Sequence, residues 1–401
     1  DGVRYHARDV AIKRAQMLDI PIILGSATPS LETISNCERD TYFRYRLDQR
    51  PTRFPPPPIQ LIDVRNNRLE FGCAAQTFAH VERHLAQSGQ VLIYLNRRGF
   101  APIVMCHECG WQSLCQNCDA RLTLHQSVQT LLCHHCGFAQ RIPEVCPDCG
   151  HNEVKHYGIG TEQLELGLTQ RYPDTPVLRI DRDVIASREA LKSRLQQLQT
   201  GKPCILIGTQ MIAKGHDYPA ITLSVVLDAD QALFSASYRA SERLAQTLFQ
   251  VSGRSGRGDR EGEAILQTRF PDHPLMQALV RQDYRQIAND LLQERRLLGF
   301  PPYARVIIFR ADAIELKAAL KKLEEIRVLL ETASRFDSLS CVGPMPALMT
   351  RRIGRYRAQL CLVSQDYQAL RSVMQQSMPT IEQLGSSARV SWSIDVDAYD
   401  L

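Results

Sequence analysis

The chain has 401 residues, with 48 Lys and Arg against 43 Asp and Glu for a formal charge of +5; at roughly 100–200 residues per domain, two to four domains are expected. A hydrophobic fraction of 44% and a charged fraction of 23% fit a globular protein and exclude intrinsically disordered and collagen-like chains. No apolar run approaches the ~18 residues of a membrane span, and a charge of +5 permits nucleic-acid binding without proving it.

The chain opens at Asp1 in mid-pattern, without a charged-then-apolar signal segment, and reads as a piece of something longer. Residues 1–50 hold one apolar strand, Ile20–Leu24, followed by Gly25-Ser26-Ala27-Thr28-Pro29-Ser30. Pro51 and Pro55–Pro58 mark an extended linker over 51–58, because proline fixes φ and donates no hydrogen bond. A helix over Ala74–Ser88 and a strand over Val91–Leu95 come next, and the cysteine block, 106–150, then interrupts. Beyond it the pattern predicts helices at Glu162–Arg171, Ser187–Leu198 and Glu242–Val251. Strands are predicted at Val177–Ile180, Cys204–Ile207, Thr222–Leu227 and Glu263–Gln267. Short apolar strands alternating with amphipathic helices imply an α/β fold with a parallel sheet covered on both faces, spanning 59–105 and 151–284. From 285 to 401 a separate α+β domain is expected: strand Val306–Arg310, helix Ala313–Thr332, strand Gln359–Val363, helix Gln365–Met378 and strand Val390–Asp395.

Eight of the 13 cysteines form four equally spaced pairs: Cys106 with Cys109, Cys115 with Cys118, Cys133 with Cys136, and Cys146 with Cys149. Two cysteines separated by two residues chelate one metal from a tight turn, and Gly110, Gly137 and Gly150 relieve three of those turns. Zinc takes four ligands, so eight thiolates make two sites. The interval of 14 residues between the inner pairs suits a zinc ribbon. It favours Cys115, Cys118, Cys133 and Cys136 on one zinc, with Cys106, Cys109, Cys146 and Cys149 nested around it on the second. Sequential pairing of the turns is the competing topology at this point. A disulfide set is the bland alternative, disfavoured for a large chain without a secretory signal. Cys37, Cys73, Cys204, Cys341 and Cys361 stand apart and suit small packed residues.

The segment Gln250-Val251-Ser252-Gly253-Arg254-Ser255-Gly256-Arg257-Gly258 is the most informative loop. Gln250, Arg254 and Arg257 would share one face if the helix continued. Three glycines cost a helix about 1 kcal/mol each relative to alanine, so close backbone approach is the reason to expect them. Planar guanidiniums held rigidly suit phosphoryl oxygens. Gly208-Thr209-Gln210-Met211-Ile212-Ala213-Lys214-Gly215-His216-Asp217 follows a buried strand, where ligands meet open parallel sheets. Gly25–Thr28 also follows an apolar run, and its bland reading is a helix N-cap. No Gly-x-x-x-x-Gly-Lys-Ser/Thr occurs; Gly201-Lys202 is followed by Pro203 and reads as a turn.

Together these segments resemble the superfamily 2 helicases, and among them the primosomal replication-restart family. Gly25–Ser30 resembles motif III, Gly208–Pro219 motif V, and Gln250–Arg257 the Gln-x-x-Gly-Arg-x-Gly-Arg of motif VI. Asn96-Arg97-Arg98-Gly99-Phe100 and Gly160-Thr161-Glu162-Gln163 resemble that family's elements flanking its metal insert. The resemblance runs through the C-terminal Pro301-Pro302-Tyr303, Gly343-Pro344 and Arg355-Tyr356-Arg357. It implies a RecA-like second lobe with a two-zinc insert, the tail of the first lobe in residues 1–50, and a C-terminal domain.

The implied activity is ATP-driven 3′→5′ DNA unwinding, with loading of the replisome at stalled forks. Arg254 and Arg257 would face the γ-phosphate, with Gly215 and Asp217 on the nucleotide side and Gln250 contacting the nucleotide or holding that helix. Ser26 and Thr28 would couple hydrolysis to lobe movement, and Thr209 and Gln210 would touch the DNA backbone. Arg355 and Arg357 are further DNA candidates, as are Trp111 and Arg121 in the insert. The implied cofactors are two Zn2+, plus ATP and Mg2+ bound with an upstream half. The implied partners are forked and single-stranded DNA, single-strand-binding protein and primosome proteins, in a bacterial cytoplasm near the nucleoid and with no membrane. Ser252 and Ser255 stand where alanine is usual in that motif. Two other readings are weighed beside it: a different superfamily 2 DNA translocase, and a non-catalytic zinc-ribbon module on a degenerate lobe.

Overall fold

The computed structural model describes residues 5–47, 54–95, 103–106, 108–125, 130–152, 154–157, 160–181, 194, 196–209, 218–230, 233, 235, 237–333, 339–387 and 389–398. From the amino end come α1 (Ala7–Leu18), α2 (Leu31–Glu38), β1 (Ile59–Asp63), α3 (Ala75–Ala86), β2 (Gln90–Leu95) and β3 (Ile103–Cys106). The insert carries β4 (Thr123–His125), β5 (Thr130–Leu132), β6 (Ala139–Arg141) and β7 (Val154–Tyr157). Then follow α4 (Thr161–Arg171), β8 (Val177–Ile180), β9 (Ile205–Gly208), β10 (Ile221–Leu227), α5 (Ala240–Ser252), β11 (Glu263–Thr268), α6 (Pro274–Val280) and α7 (Tyr284–Leu298). The chain ends with β12 (Arg305–Ala313), α8 (Leu316–Ala333), β13 (Leu339–Arg352), β14 (Arg355–Ser364), α9 (Tyr367–Gln383) and β15 (Val390–Val396).

Two compact units result. One comprises residues 44–291 with Met349–Arg355; the other comprises residues 1–43 and the C-terminal residues 292–348 and 356–401.

The first unit is built on six parallel strands in the order β1-β11-β10-β2-β9-β8. Its central strands β2 and β10 are buried at every residue, which is why they read as unbroken apolar runs rather than alternating ones. Leu92, Tyr94 and Val226 face one layer, with Leu244, Leu248, Met276 and Leu279 from α5 and α6. Val91, Ile93 and Val225 face the other, with Phe78 and Val81 from α3 and Leu164 and Leu168 from α4. Each fully buried Val, Leu or Ile contributes about 1.5–3 kcal/mol before entropy is set against it.

The cysteine block leaves the sheet after β2 and returns before α4, closed at its base by the antiparallel β3–β7 ladder. It is therefore an insertion at the carboxyl end of a central strand. Inside it, β4, β5 and β6 form a small antiparallel sheet over Leu122, Leu124 and Leu131.

In the second unit β12, α8, β13, β14, α9 and β15 make the β-α-β-β-α-β pattern in the order β13-β14-β12-β15, with α8 and α9 packed on one face through Leu323, Ile326, Leu330, Leu370 and Val373. This is the ferredoxin-like arrangement. β13 lies at its edge, where Pro344 and Pro346 are tolerated. Residues 1–43 join this unit: Glu32 of α2 pairs with the buried Arg295 at 3.4 Å, and Arg39 and Arg296 both stand over the Tyr303 ring.

Two sequence expectations fail here. Ile20–Leu24 forms no strand; Ile20 and Ile23 are exposed and no partner strand lies beside them among the described residues. An extended apolar segment becomes a strand only when a neighbour takes its backbone groups. The helical reading of Gln250–Arg257 also fails, because α5 ends at Ser252 with Gly253 as its C-cap. The helix expected at Ser187–Leu198 lies mostly outside the described residues.

Candidate functional site

The arginine segment is a tight loop held by its glycines. The Gly256 N–H donates to the Ile221 carbonyl at 3.0 Å, fixing the loop at the amino end of β10. Gly256 has φ +68, and a Cβ on it would stand 2.8 Å from the Gly262 nitrogen. A Cβ on Gly258 would stand 2.4 Å from the Pro219 carbonyl oxygen. Close backbone approach does explain these glycines. Ser255 Oγ donates to the carbonyls of Ser252 and Glu263, at 3.0 and 2.9 Å.

The two arginines differ. Arg254 is buried, with 6% of its surface exposed; it lies near Tyr218, whose phenol burial pushes up while the Arg254 charge opposes. Arg257 is exposed and its Nε donates to the Gly253 carbonyl at 2.7 Å. Gln250 lies in the last turn of α5.

Gly208 and Thr209 stand at the carboxyl end of β9, the opposite end of the strands from the Arg254 loop. A strand rises about 3.3 Å per residue, so the length of the strands separates the two segments. Gln210, Gly215 and Asp217 lie outside the described residues, as does Asn96–Phe100. Thr161, at the first turn of α4, donates through Oγ1 to the buried Asp181 carboxylate at the carboxyl end of β8. Asp181 was not singled out in the sequence; its signal was a carboxylate directly after a strand.

Ser26 Oγ accepts from the Thr28 N–H at 3.1 Å, a local turn, and Thr28 is buried. The cap of α2 is Ser30, which accepts from the Thr33 N–H and from Arg8. Arg357 Nε lies 3.4 Å from Asp312 Oδ1, so part of the C-terminal basic stretch is neutralised within its own sheet. Arg355 opens β14 at the turn after β13. Trp111 packs on the core of the insert, while Arg121 is exposed.

The eight paired cysteines gather as two clusters, Cys106, Cys109, Cys146 and Cys149, and Cys115, Cys118, Cys133 and Cys136; within each, all ligand atoms lie within 4.8 Å. The nested pairing is the observed one. Sγ–Sγ distances are 3.6 Å for Cys106–Cys149, and 3.5 Å for both Cys109–Cys146 and Cys115–Cys136. A zinc tetrahedron with Zn–S of about 2.3 Å needs sulfurs about 3.8 Å apart, whereas a disulfide needs about 2.05 Å. All 13 cysteines are free thiols. The donor set fits zinc.

Each cluster holds one thiol near neutrality. The Phe138 N–H lowers Cys136 to about 7. Against burial, the Cys149 and Asp148 N–H groups lower Cys146 to about 7. Burial pushes Cys115 up to about 12.

A RecA-like helicase lobe, a zinc module of two four-cysteine sites inserted in it, and a small α+β domain define the class of protein. Residues 115–141 match the family model for the PriA DNA helicase Cys-rich region, and residues 296–399 match that for the primosomal protein N C-terminal domain. The chain is 41% identical over 401 residues to the replication restart protein PriA of Haemophilus influenzae, covering all of this chain and 54% of that protein. It is 39% identical over 369 residues to that of a Synechocystis species, covering 89% and 44%, and 33% identical over 401 residues to that of Bacillus subtilis, covering 99% and 49%. The chain belongs to the PriA family of replication restart proteins. It spans about half the length of these curated relatives.

Proposed function

We propose that this chain is the second motor lobe, zinc module and C-terminal domain of an ATP-driven DNA helicase. It unwinds forked DNA in the 3′→5′ direction and restarts replication by assembling a primosome. The observation that carries this reading is similarity to replication restart proteins along the whole 401 residues, joined to an arginine-bearing loop whose backbone is fixed by close packing at its glycines. Residues 1–50 are the tail of the first lobe, with Ser26 and Thr28 relaying hydrolysis.

Arg257, with Arg254 behind it, stabilises charge developing on the transferred phosphoryl group, a role worth on the order of 10³-fold in rate. Gln250, Gly215 and Asp217 line the nucleotide side. Thr209, at the other end of the strands, and Gln210 hold the DNA backbone, as sequence-independent movement requires. Arg355 and Arg357 add DNA contact. ATP and Mg2+ are bound together with the upstream half. Single-strand-binding protein and primosome proteins are its partners, in the cytoplasm.

The test is forked-DNA unwinding by the full-length protein and by residues 1–401 alone. The full-length protein should unwind a fork with a 3′ tail in an ATP-dependent way. The 401 residues, which contain no phosphate-loop sequence, should show no DNA-dependent ATP hydrolysis. Clear hydrolysis by residues 1–401 would overturn the division of labour between lobes.

A further inference from the structure

Four Cys-x-x-Cys turns stand in the insert, and three close in the same way. The residue after the second cysteine is a glycine with φ of +76, +77 or +71: Gly110, Gly137 and Gly150. Its N–H donates to the carbonyl of the first cysteine, at 3.0 Å for Gly110 and 2.9 Å for the other two.

The turn Cys115–Cys118 departs from this. Asp119 stands in the glycine's place, and its N–H donates to the Arg351 carbonyl at 2.8 Å. Arg351 returns the contact, its N–H donating to Asp119 Oδ2 at 2.6 Å. Two more N–H groups reach the same turn: Gly354 donates to the Asn117 carbonyl at 2.8 Å, and Ile353 to Cys118 Sγ at 3.2 Å. Ile353 and Gly354 both have positive φ, 53° and 73°, and successive amides in such a turn form a concave donor surface. Met349–Arg355 falls in the same compact unit as the insert.

Cys115 and Cys136 receive N–H donors from within their own turns, Asn117 at 3.3 Å and Phe138 at 3.5 Å. Cys118 receives its donor from a residue 235 positions away. A metal-bound thiolate keeps negative charge on sulfur, and a donor that shares this charge holds the ligand in place.

We propose that Met349–Arg355 is a working part of the inner zinc centre, standing in for the glycine turn that Cys115–Cys118 lacks. It sets how long the inner zinc stays bound, and its own order depends on that zinc. The inference rests on the zinc reading of the inner cluster.

The test uses the full-length zinc-loaded protein and a chromogenic chelator in excess. A Cys115→Ser/Cys118→Ser chain gives the reference rate for the outer zinc alone. The main variant replaces Arg351–Tyr356 with Asn-Gly, a two-residue hairpin turn; the second is Asp119→Ala. Both should speed loss of the inner zinc by about 10-fold or more and leave the outer rate unchanged. Adding Asp119→Gly to the shortened chain should restore slow release, because it rebuilds the turn of the other three pairs. Hydrogen exchange at the Ile353 amide should be slow in the loaded protein and fast in the Cys115→Ser/Cys118→Ser chain. An inner rate equal to the parent's in the shortened chain, or both rates rising together, would overturn the proposal. A parent protein that binds no zinc at all would instead overturn the zinc reading beneath it.

Discussion

The Gln267 side chain on β11 caps α3 through the Ala74 backbone: its Oε1 accepts from the Ala74 N–H at 2.9 Å. The same oxygen accepts from Thr77 Oγ1, and Nε2 donates to the Gly72 carbonyl at 2.7 Å. Ala74 offers no side-chain cap of its own, so a residue 193 positions later supplies it. Gln267 is buried. Gln267→Leu strands the buried Ala74 N–H and the part-buried Gly72 carbonyl, at up to about 1–3 kcal/mol each. The denaturation midpoint should fall by an amount equivalent to roughly 2–4 kcal/mol, with the zinc content unchanged.

The Arg254 loop makes a different demand. Gly256→Ala places a Cβ in left-handed backbone and 2.8 Å from the Gly262 nitrogen, so the loop must shift at a cost of about 1–3 kcal/mol. Arg257→Ala removes an exposed side chain and should leave thermal stability within about 0.5 kcal/mol. Its DNA-stimulated ATP hydrolysis in the full-length protein should nonetheless fall by on the order of 10³-fold. Arg254→Ala should lower both, because Arg254 is buried. Thermal melting beside ATPase assays separates the two; an Arg257→Ala protein with normal turnover would remove that residue from phosphoryl transfer.

How far the sequence could be read is clear from particular elements. The central strands were legible because burial on both faces leaves continuous apolar runs; the zinc ligands were legible as four equal turns, and the 14-residue interval between the inner turns favoured nesting while sequential pairing stayed open. β13 was illegible: its two prolines are strand breakers that an edge position tolerates. β1, Ile59–Asp63, hid behind the Pro55–Pro58 run. The Gln267 cap and the Arg351–Asp119 contact join positions 193 and 232 apart, and no local pattern encodes such a pairing. The helical spacing of Gln250, Arg254 and Arg257 misled because Gly253 ends the helix inside it.

Acid should loosen the edge where α3 meets β11. His84 Nε2 lies 2.9 Å from Glu263 Oε2 and its Nδ1 lies 2.9 Å from Thr222 Oγ1, while His80 and Arg83 also face Glu263. Burial lowers the His84 pKa below its ordinary 6.5, with the Glu263 hydrogen bond opposing. The unfolded chain therefore binds the proton more readily, so stability rises with pH up to about 6.5 and falls on acidification below it. For Glu263, burial opposes but the His84 and His80 hydrogen bonds and the Arg83 charge win, and its pKa is lowered from 4.5. Its contribution is present above 4.5 and is lost as pH falls below that value. Urea midpoints between pH 8 and 4 should decline in two stages, and His84→Gln should remove the one nearer neutrality. An unchanged first stage in that variant would assign it to another group.

Zinc content gives the most direct measure of the insert. Cys115→Ser with Cys118→Ser leaves the inner cluster two thiols, too few to hold zinc in competition with solvent. The outer cluster keeps Cys106, Cys109, Cys146 and Cys149, and the β3–β7 ladder at the base joins main-chain groups that owe nothing to the inner site. The metal count should therefore fall from two per chain to one rather than to none. Hydrogen exchange should rise over β4, β5 and β6, which pack on Leu122 and Leu131 beside the inner cysteines, while β2 and β10 stay protected in the core of the lobe. Loading should also depend on pH, since bound thiolates must shed their protons. Cys136 and Cys146, both near 7, give them up first, and Cys115, near 12, loses its proton to solvent only as the metal takes its place on sulfur. Apparent zinc affinity should weaken steadily as pH drops through 7, read by chelator competition. Two zincs retained in the double-serine chain would refute the assignment of ligands.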